Sequence, residues 1–122
     1  MIHFVAMKVD VRKIGEIPVL APEGRVTIGE SALALKSALE GVLDSRPEHV
    51  IVDGSLVPYM DSTGLGELIA AARTLAERGG RLGVCSPTPK LREILEVTGL
   101  GSVFAVGGDA ETLVASLAPT RR

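Results

Sequence analysis

The chain has 122 residues, of which 46% are hydrophobic and 23% charged, and this balance predicts a single globular domain with its own core. A net charge of −2 and a content of one tyrosine, two phenylalanines and no tryptophan exclude a basic, ring-rich nucleic-acid-binding surface. One cysteine excludes an internal disulfide. The lack of a long apolar run or a signal-like start favours a cytoplasmic location without membrane insertion.

The first part of the chain predicts two strands joined by a short turn. Residues 1–11 alternate loosely between apolar and polar, a turn follows at residues 13–15, and a short apolar run covers residues 17–21. Two such runs separated by a few residues predict an antiparallel hairpin. Pro18 has no N–H to donate, so we expect it at a strand start or on a sheet edge.

The next segment predicts a helix that ends near Asp44. Thr27 and Glu30 have the spacing of a capping box, in which the hydroxyl accepts the third amide and the carboxylate accepts the cap amide. The apolar face of this helix is formed by Leu35, Leu39, Val42 and Leu43.

A buried strand and a second amphipathic helix follow. Residues 50–52 are all apolar and β-branched, as in a strand covered on both faces, and Asp53 closes the run. After a loop at residues 54–60, a helix over residues 65–75 is predicted, ending at the pair Gly79 and Gly80. Its predicted apolar stripe consists of Leu65, Leu68, Ile69, Ala72, Leu75 and Ala76.

The last third of the chain predicts two further strand–helix units. Residues 81–85 form a third apolar run, in which Cys85 is expected to be a buried, inert thiol. Thr88 followed by Pro89 predicts the start of a helix that ends near Gly99. Residues 103–106 predict a short edge strand, and Asp109 is expected to cap a last helix over residues 110–117.

This order of elements predicts a single α/β domain. We expect a mixed β-sheet of four to five strands, with the N-terminal antiparallel hairpin followed by parallel strands, and about four helices. The domain is predicted to span residues 1–118, with residues 119–122 as a tail.

The stretch from Asp61 to Gly66 is the candidate site. It places hydroxyl and small residues after a strand and at a helix N-terminus, where open α/β sheets often carry their functional groups. Asp61 or Ser62 could simply cap the helix. Gly64 and Gly66, however, each cost about 1 kcal/mol of helix stability relative to alanine, so we interpret them as leaving backbone open to a partner such as a kinase.

A phosphate on Ser62 would add about −1.5 to −2 charges, and the helix dipole and free amides are expected to hold it. A docking partner would meet this charge, so the modification would switch binding while the domain stays folded.

Catalytic chemistry has little support in the sequence. The two histidines, His3 and His49, are separated from Ser62, and His49 is expected to be a solvated turn residue at the opposite end of the strand. No metal-ligand set, dinucleotide fingerprint or Walker loop is present, so neither metal nor cofactor is expected. A small hydrolase or nucleotide-binding enzyme that uses Asp53, Asp61 and Ser62 remains an alternative.

Residues 59–68 resemble the signature of the STAS-domain family of bacterial anti-sigma factor antagonists. The similarity extends to residues 49–53, which resemble the family's central strand, to the helix-to-strand turn at residues 78–82, and to the third-helix region at residues 86–100. The resemblance therefore covers nearly the whole chain.

The resemblance implies a switch protein and not an enzyme. Family members bind an anti-sigma factor that is also a serine kinase of the histidine-kinase-like ATPase fold, and this binding frees a sigma factor. The kinase phosphorylates the serine that matches Ser62, which breaks the complex, and a serine phosphatase resets it. Asp61 matches the acidic residue before that serine, and Thr63 is a second candidate acceptor.

One segment departs from the common family pattern. Many members carry Gly-Glu-(Leu/Ile)-Asp after the second strand, whereas this chain has Arg25 and Thr27 in place of the acidic pair. This loop lies near the partner-facing end in relatives. The partner-binding residues expected from the resemblance are Arg25, Thr27, Asp53, Ser55, Tyr59, Asp61, Ser62, Thr63, Gly64, Leu65 and Gly66. A constitutive scaffold or a transporter-associated STAS module without phosphorylation is the alternative.

Overall fold

The computed structural model describes residues 7–99 and 103–117, and in these residues strands and helices follow the predicted order. The elements are β1 (Lys8–Ile14), β2 (Ile17–Glu23), α1 (Glu30–Asp44), β3 (Val50–Asp53), α2 (Ser62–Glu77), β4 (Leu82–Cys85), α3 (Pro89–Val97), β5 (Ala105–Gly107) and α4 (Ala110–Leu117). The predicted α/β class is confirmed. The predicted boundary at residue 118 and the tail lie outside the described residues, so this division of the chain stays a prediction.

The strands lie in the sheet in the same order as in the chain, β1-β2-β3-β4-β5. The β1–β2 pair is antiparallel and the other pairs are parallel, which confirms the predicted mixed sheet. Because right-handed crossovers that always step in one direction leave their helices on one side, α1, α2 and α3 share a face. Leucines of these helices, such as Leu35, Leu68 and Leu91, form the larger apolar cluster.

The opposite face of the sheet is covered by α4. Its Ala110 and Leu113 pack on Val19 and Ile51 in a second, smaller apolar cluster. In the part of the chain that the structure describes, the sheet therefore splits the core into two layers, one built by three helices and one by the short helix α4.

The first hairpin turns at Gly15 and Glu16, slightly later than predicted, with Gly15 at a φ of 60°. The predicted strand over residues 1–11 is displaced to Lys8–Ile14, and its first six residues lie outside the described part of the chain. Pro18 is the second residue of β2, as expected for a proline at a strand start.

The predicted capping box at the start of α1 is wrong. Gly29 is the N-cap, and no side chain of the described residues caps the helix. The hydroxyl of Ser31 accepts the Thr27 N–H at 2.8 Å and donates to the Thr27 carbonyl at 3.0 Å. Gly29 has a φ of 111°, which is outside the helical range, so the helix begins at Glu30 and not directly after Thr27.

The amino end of the central strand is closed by packing. His49 was expected to be solvated, but it is 7% exposed, and its Nδ1 accepts the Arg81 N–H at 3.0 Å. A Cβ on Gly80 would overlap the carbonyl oxygen of Glu48. The predicted end of α2 is confirmed, since Gly79 adopts a φ of 79°. The expectation of a solvated His49 is therefore wrong. The sequence did not indicate this burial, because the amide that His49 binds belongs to a residue distant in sequence.

The later elements agree with the predictions in type and differ in their bounds. Thr88 accepts the Leu91 N–H at 3.2 Å and caps α3, and Asp109 accepts the Thr112 N–H at 2.7 Å at the start of α4. The edge strand β5 begins at Ala105 and not at residue 103, because Val103 and Phe104 lie in a turn that leads into it, with Phe104 fully buried.

Candidate functional site

The carboxylate of Asp61 organises the start of α2. The helix begins at Ser62, three residues before the predicted start, with Asp61 as its extended N-cap. Oδ1 of Asp61 accepts the N–H groups of Thr63 at 2.9 Å and Gly64 at 3.1 Å, and Oδ2 accepts the Ile28 N–H at 2.8 Å. The N–H groups of Gly64 and then Ile28 hold the pKa of Asp61 below its ordinary value.

The loop at residues 24–28 runs beside residues 56–61 and is tied to them by backbone hydrogen bonds. Gly24 donates to the Leu56 carbonyl and Val26 to the Tyr59 carbonyl, both at 2.9 Å, and Asp61 donates to the Val26 carbonyl at 3.0 Å. A parallel bridge joins Val26 and Met60. Together with the Asp61–Ile28 bond, these contacts make one surface from two segments at the carboxyl end of the sheet.

Ser62 is exposed at the first position of α2. Among the described residues, nothing hydrogen-bonds its hydroxyl, because the capping role is taken by Asp61. The amides of Thr63 and Gly64 are engaged by the Asp61 side chain, and the Leu65 amide by the Asp61 carbonyl at 3.0 Å. The expectation that free amides would hold a phosphate on Ser62 is therefore wrong for these three groups.

The two glycines of the site differ in their surroundings. A Cβ on Gly64 would lie 2.6 Å from Cγ of Met60 and 2.8 Å from Cγ1 of Val26, so its small size serves packing within the chain. Leu65 is also buried. The interpretation of Gly64 as open to a partner is wrong, and Leu65 offers little surface for contact. Gly66 is exposed, and a Cβ there would meet no atom within 4 Å.

Arg25 lies on the outer side of the same surface. Its guanidinium carbon is 4.6 Å from the centroid of the Tyr59 ring, which is a cation–π contact. Ile28 and Leu56, next to these residues in the two segments, are 77% and 54% exposed. Our sequence reasoning missed both, although apolar residues in a loop, outside any periodic element, are a signal for an interaction surface.

Asp53 and Ser55 complete the carboxyl end of β3. Oδ1 of Asp53 accepts the Ser55 N–H at 2.9 Å, and Ser55 is exposed. Cys85 pairs with Asp53 in the neighbouring strand. Burial, and then the charge of Asp53, raise the pKa of Cys85 to about 11, so its thiol stays protonated and a poor nucleophile at neutral pH.

The structure places His49 before β3 and Ser62 beyond its other end, so this histidine cannot serve as a base for Ser62. Within residues 7–99 and 103–117, no group of three His, Cys, Asp or Glu side chains is arranged to hold a metal ion. In the same residues, no helix has the length and apolar character that a bilayer crossing requires.

Comparison with known proteins gives consistent results. The model of the STAS domain family matches residues 8–117. BtrV, a candidate anti-sigma factor antagonist of Bordetella bronchiseptica, is 28% identical over 110 residues, which cover 90% of this chain and 94% of the relative. Among solved structures, an anti-sigma factor antagonist from Mycobacterium paratuberculosis superimposes with a TM-score of 0.82 at 24% identity, covering 92% and 94% of the two chains. SpoIIAA of Bacillus, in its phosphorylated form, gives 0.68 at 18% identity, covering 93% and 100%.

Proposed function

Because the chain belongs to the STAS domain family, we propose that it is an anti-sigma factor antagonist controlled by phosphorylation at Ser62. In this proposal its partner is an anti-sigma factor that also acts as a serine kinase. Binding of the partner frees a sigma factor, and transfer of a phosphoryl group to Ser62 breaks the complex. A serine phosphatase restores the binding form, and the protein itself has no enzymatic activity.

One observation carries this proposal: the hydroxyl of Ser62 is exposed and makes no hydrogen bond with the described residues, while Asp61 caps the helix. A serine that the fold needed as a cap would have its hydroxyl engaged. Thr63, the second candidate acceptor, is half-buried and therefore harder for a kinase to reach. SpoIIAA, which shares this fold, is known in a phosphorylated form, and this supports the same modification here.

The chemical step is an ordinary phosphoryl transfer. Oγ of Ser62 attacks the γ-phosphorus of ATP held by the partner, the bond to the leaving ADP oxygen breaks, and the hydroxyl proton passes to a base of the kinase. The product adds about −1.5 to −2 charges beside the ionised Asp61. A partner that had packed against a neutral hydroxyl would then have to desolvate two adjacent anions, which opposes binding.

The bonds that maintain the fold are not involved in this step. The hydrogen bonds of Asp61 to Thr63, Gly64 and Ile28 do not use the Ser62 hydroxyl. The surface of Arg25, Tyr59, Ile28 and Leu56 therefore keeps its shape after phosphorylation, and the loss of binding is electrostatic.

The test is incubation with ATP and each serine kinase of the histidine-kinase-like ATPase fold from the source organism, followed by intact-mass and peptide analysis. We expect a gain of about 80 Da, one phosphoryl group, on the wild type and on Thr63→Val but none on Ser62→Ala. Ser62→Ala should still bind the kinase and resist release by ATP. Binding without any phosphorylation would contradict the switch and favour a constitutive scaffold. Loss of binding in Ser62→Ala would make the hydroxyl a contact residue only.

A further inference from the structure

The outer edge of β1 has no partner strand within residues 7–99 and 103–117. β1 is the first strand in the sheet order, and among the described residues it pairs only with β2. The two-residue turn makes Ile14 and Ile17 a hydrogen-bonded pair, and such pairs alternate along an antiparallel ladder. The N–H and C=O groups of Val9, Val11 and Lys13 therefore point away from β2, toward the open edge.

The positions of the prolines in β2 agree with this assignment of the outward-pointing backbone groups of β1. Pro18 lies opposite Lys13 and Pro22 opposite Val9. These are the non-hydrogen-bonded pairs, so the missing proline N–H groups remove nothing from the β1–β2 ladder. The backbone of β1 is fully paired on one side, and the groups on its other side alternate regularly.

One face of β1 carries charged side chains that alternate in sign, and the middle residue of the strand is apolar. Lys8, Asp10 and Arg12 lie on one face of the strand, and all three are exposed. Val11, at the middle of β1, is 52% exposed. An unpaired edge is a template for another strand, and charged side chains decide which strand and which register it accepts.

Among the two-fold registers of β1 with itself that are centred on its middle residues, one places opposite charges against each other. Outward-pointing residues must oppose one another, which permits two-fold axes at Asp10, Val11 or Arg12 near the middle of the strand. An axis at Asp10 puts the two Asp10 carboxylates opposite each other, and an axis at Arg12 does the same with two guanidinium groups. An axis at Val11 puts Asp10 opposite Arg12 on both sides, with Val11 facing Val11.

We propose that the β1 edge is a self-association surface, on which a second copy of this chain pairs antiparallel about Val11 and extends the sheet across two molecules. Backbone hydrogen bonds join Val11 to Val11 and Val9 to Lys13. Asp10 and Arg12 form non-hydrogen-bonded pairs, whose Cα atoms lie about 4.5 Å apart, close enough for their side chains to meet.

The charges of this edge are available in the single chain. Asp10 is 3.8 Å from the ammonium of Lys8, and Arg12 is 3.9 Å from the carboxylate of Glu111. These side chains are more than half exposed, so exchanging such long surface contacts for the pairs between copies costs little. The two-fold axis is perpendicular to the sheet, so the two Ser62 surfaces lie at opposite ends of the pair and both stay open.

The experiment is sedimentation velocity on the full chain from about 10 μM to 1 mM, because pairing of one short strand buries little surface and interfaces below about 1,200 Å² associate weakly. We expect the weight-average mass of the wild type to rise toward twice that of one chain. Asp10→Arg and Arg12→Asp each place like charges opposite one another and should weaken association on the order of tenfold. The double variant Asp10→Arg/Arg12→Asp restores opposite charges and should restore association.

Two further variants separate this register from bulk charge and from misfolding. Arg92→Asp changes net charge as Arg12→Asp does, but on an exposed position of α3, and should associate like the wild type. Val11→Pro removes the outward N–H of residue 11 and none of the β1–β2 hydrogen bonds, so it should abolish association without loss of the thermal unfolding transition. The proposal is overturned if the wild type stays monomeric, if the single variants associate like the wild type, or if the double variant does not recover. None of these outcomes bears on phosphorylation of Ser62.

Discussion

The two ends of the central strand β3 use the same kind of hydrogen bond for opposite results. At the amino end, Nδ1 of His49 accepts the Arg81 N–H, and at the carboxyl side Oδ2 of Asp61 accepts the Ile28 N–H. At both ends, a side chain fixes the backbone of a segment that is distant in sequence. His49 is buried in the process, whereas the Asp61 bond leaves Ser62 exposed. The closed end at His49 thus contributes to stability, and the open end at Asp61 holds a surface in place.

The largest expected effect is at the closed end. In Gly80→Ala the new Cβ would overlap the Glu48 carbonyl oxygen, which is backbone and cannot move away cheaply. We expect the free energy of unfolding to fall by about 3 kcal/mol in urea denaturation. The matched control is Gly66→Ala, where the added Cβ meets nothing within 4 Å and should stabilise α2 by up to about 1 kcal/mol. Equal effects of the two substitutions would contradict the contrast between the ends.

A second substitution removes the hydrogen bond of the closed end. His49→Ala leaves the Arg81 N–H without its acceptor and opens space beside it, so we expect a loss of about 2 kcal/mol in the same measurement. Ser55→Ala, at the exposed carboxyl end, is the control and should change the free energy of unfolding by less than about 0.5 kcal/mol. A loss for His49→Ala as small as that of the control would show that the buried histidine does not stabilise the strand.

The third prediction concerns the carboxylate that ties the open end together. Because backbone N–H groups lower the pKa of Asp61 from its ordinary 3.8, its charge stabilises the fold fully above that value. This contribution is lost as the pH falls through the lowered pKa. The denaturant midpoint of Asp61→Asn should therefore lie below that of the wild type at neutral pH and approach it in strong acid.

Hydrogen exchange gives a local measurement of the same bond. The Ile28 amide should exchange faster in Asp61→Asn, whereas Asp109→Asn, which alters the cap of α4, should leave it unchanged. A gap between the denaturant midpoints that does not depend on pH would rule out the charge of Asp61 as the cause.

The smallest expected effect is at Ser62 itself. Ser62→Ala removes an exposed hydroxyl that bonds to none of the described residues, so the free energy of unfolding should change by less than about 0.5 kcal/mol. Thermal and urea unfolding, measured beside Asp61→Asn, test this. A loss for Ser62→Ala larger than the loss for Asp61→Asn would mean that the hydroxyl belongs to the fold, and the contrast between adjacent residues would disappear.

The order of strands and helices could be predicted because it depends on local signals. The β-branched run before Asp53, the Thr88–Pro89 pair and the cap at Asp109 each act over a few residues, and each element formed as expected. The predicted capping box failed for an equally local reason. The hydroxyl of Ser31 hydrogen-bonds the backbone of Thr27, and the spacing of Thr27 and Glu30 does not exclude this contact.

The site was predictable in its position but not in its internal contacts. The motif around Ser62 lies at the carboxyl side of β3 as expected, but the Asp61–Ile28 bond spans 33 residues and has no local signal. Gly64 and Gly66 cannot be told apart from the sequence. Only the packing of Met60 and Val26 against Gly64 excludes a side chain at that position. The burial of His49 is likewise set by Arg81, 32 residues away. Phosphorylation of Ser62 stays a prediction.

The sequential strand order also has a consequence for synthesis on the ribosome. Each parallel strand pairs with the one made just before it, so the sheet can grow in the direction of translation with only short loops to close. The helix α4 is made after all five strands, and until it docks, Val19 and Ile51 lack the cover that Leu113 provides. A nascent chain stopped before Ala110 would thus carry an assembled Ser62 surface, while the sheet face that α4 covers is still bare. Such truncated chains are the form of this protein that chaperones should capture.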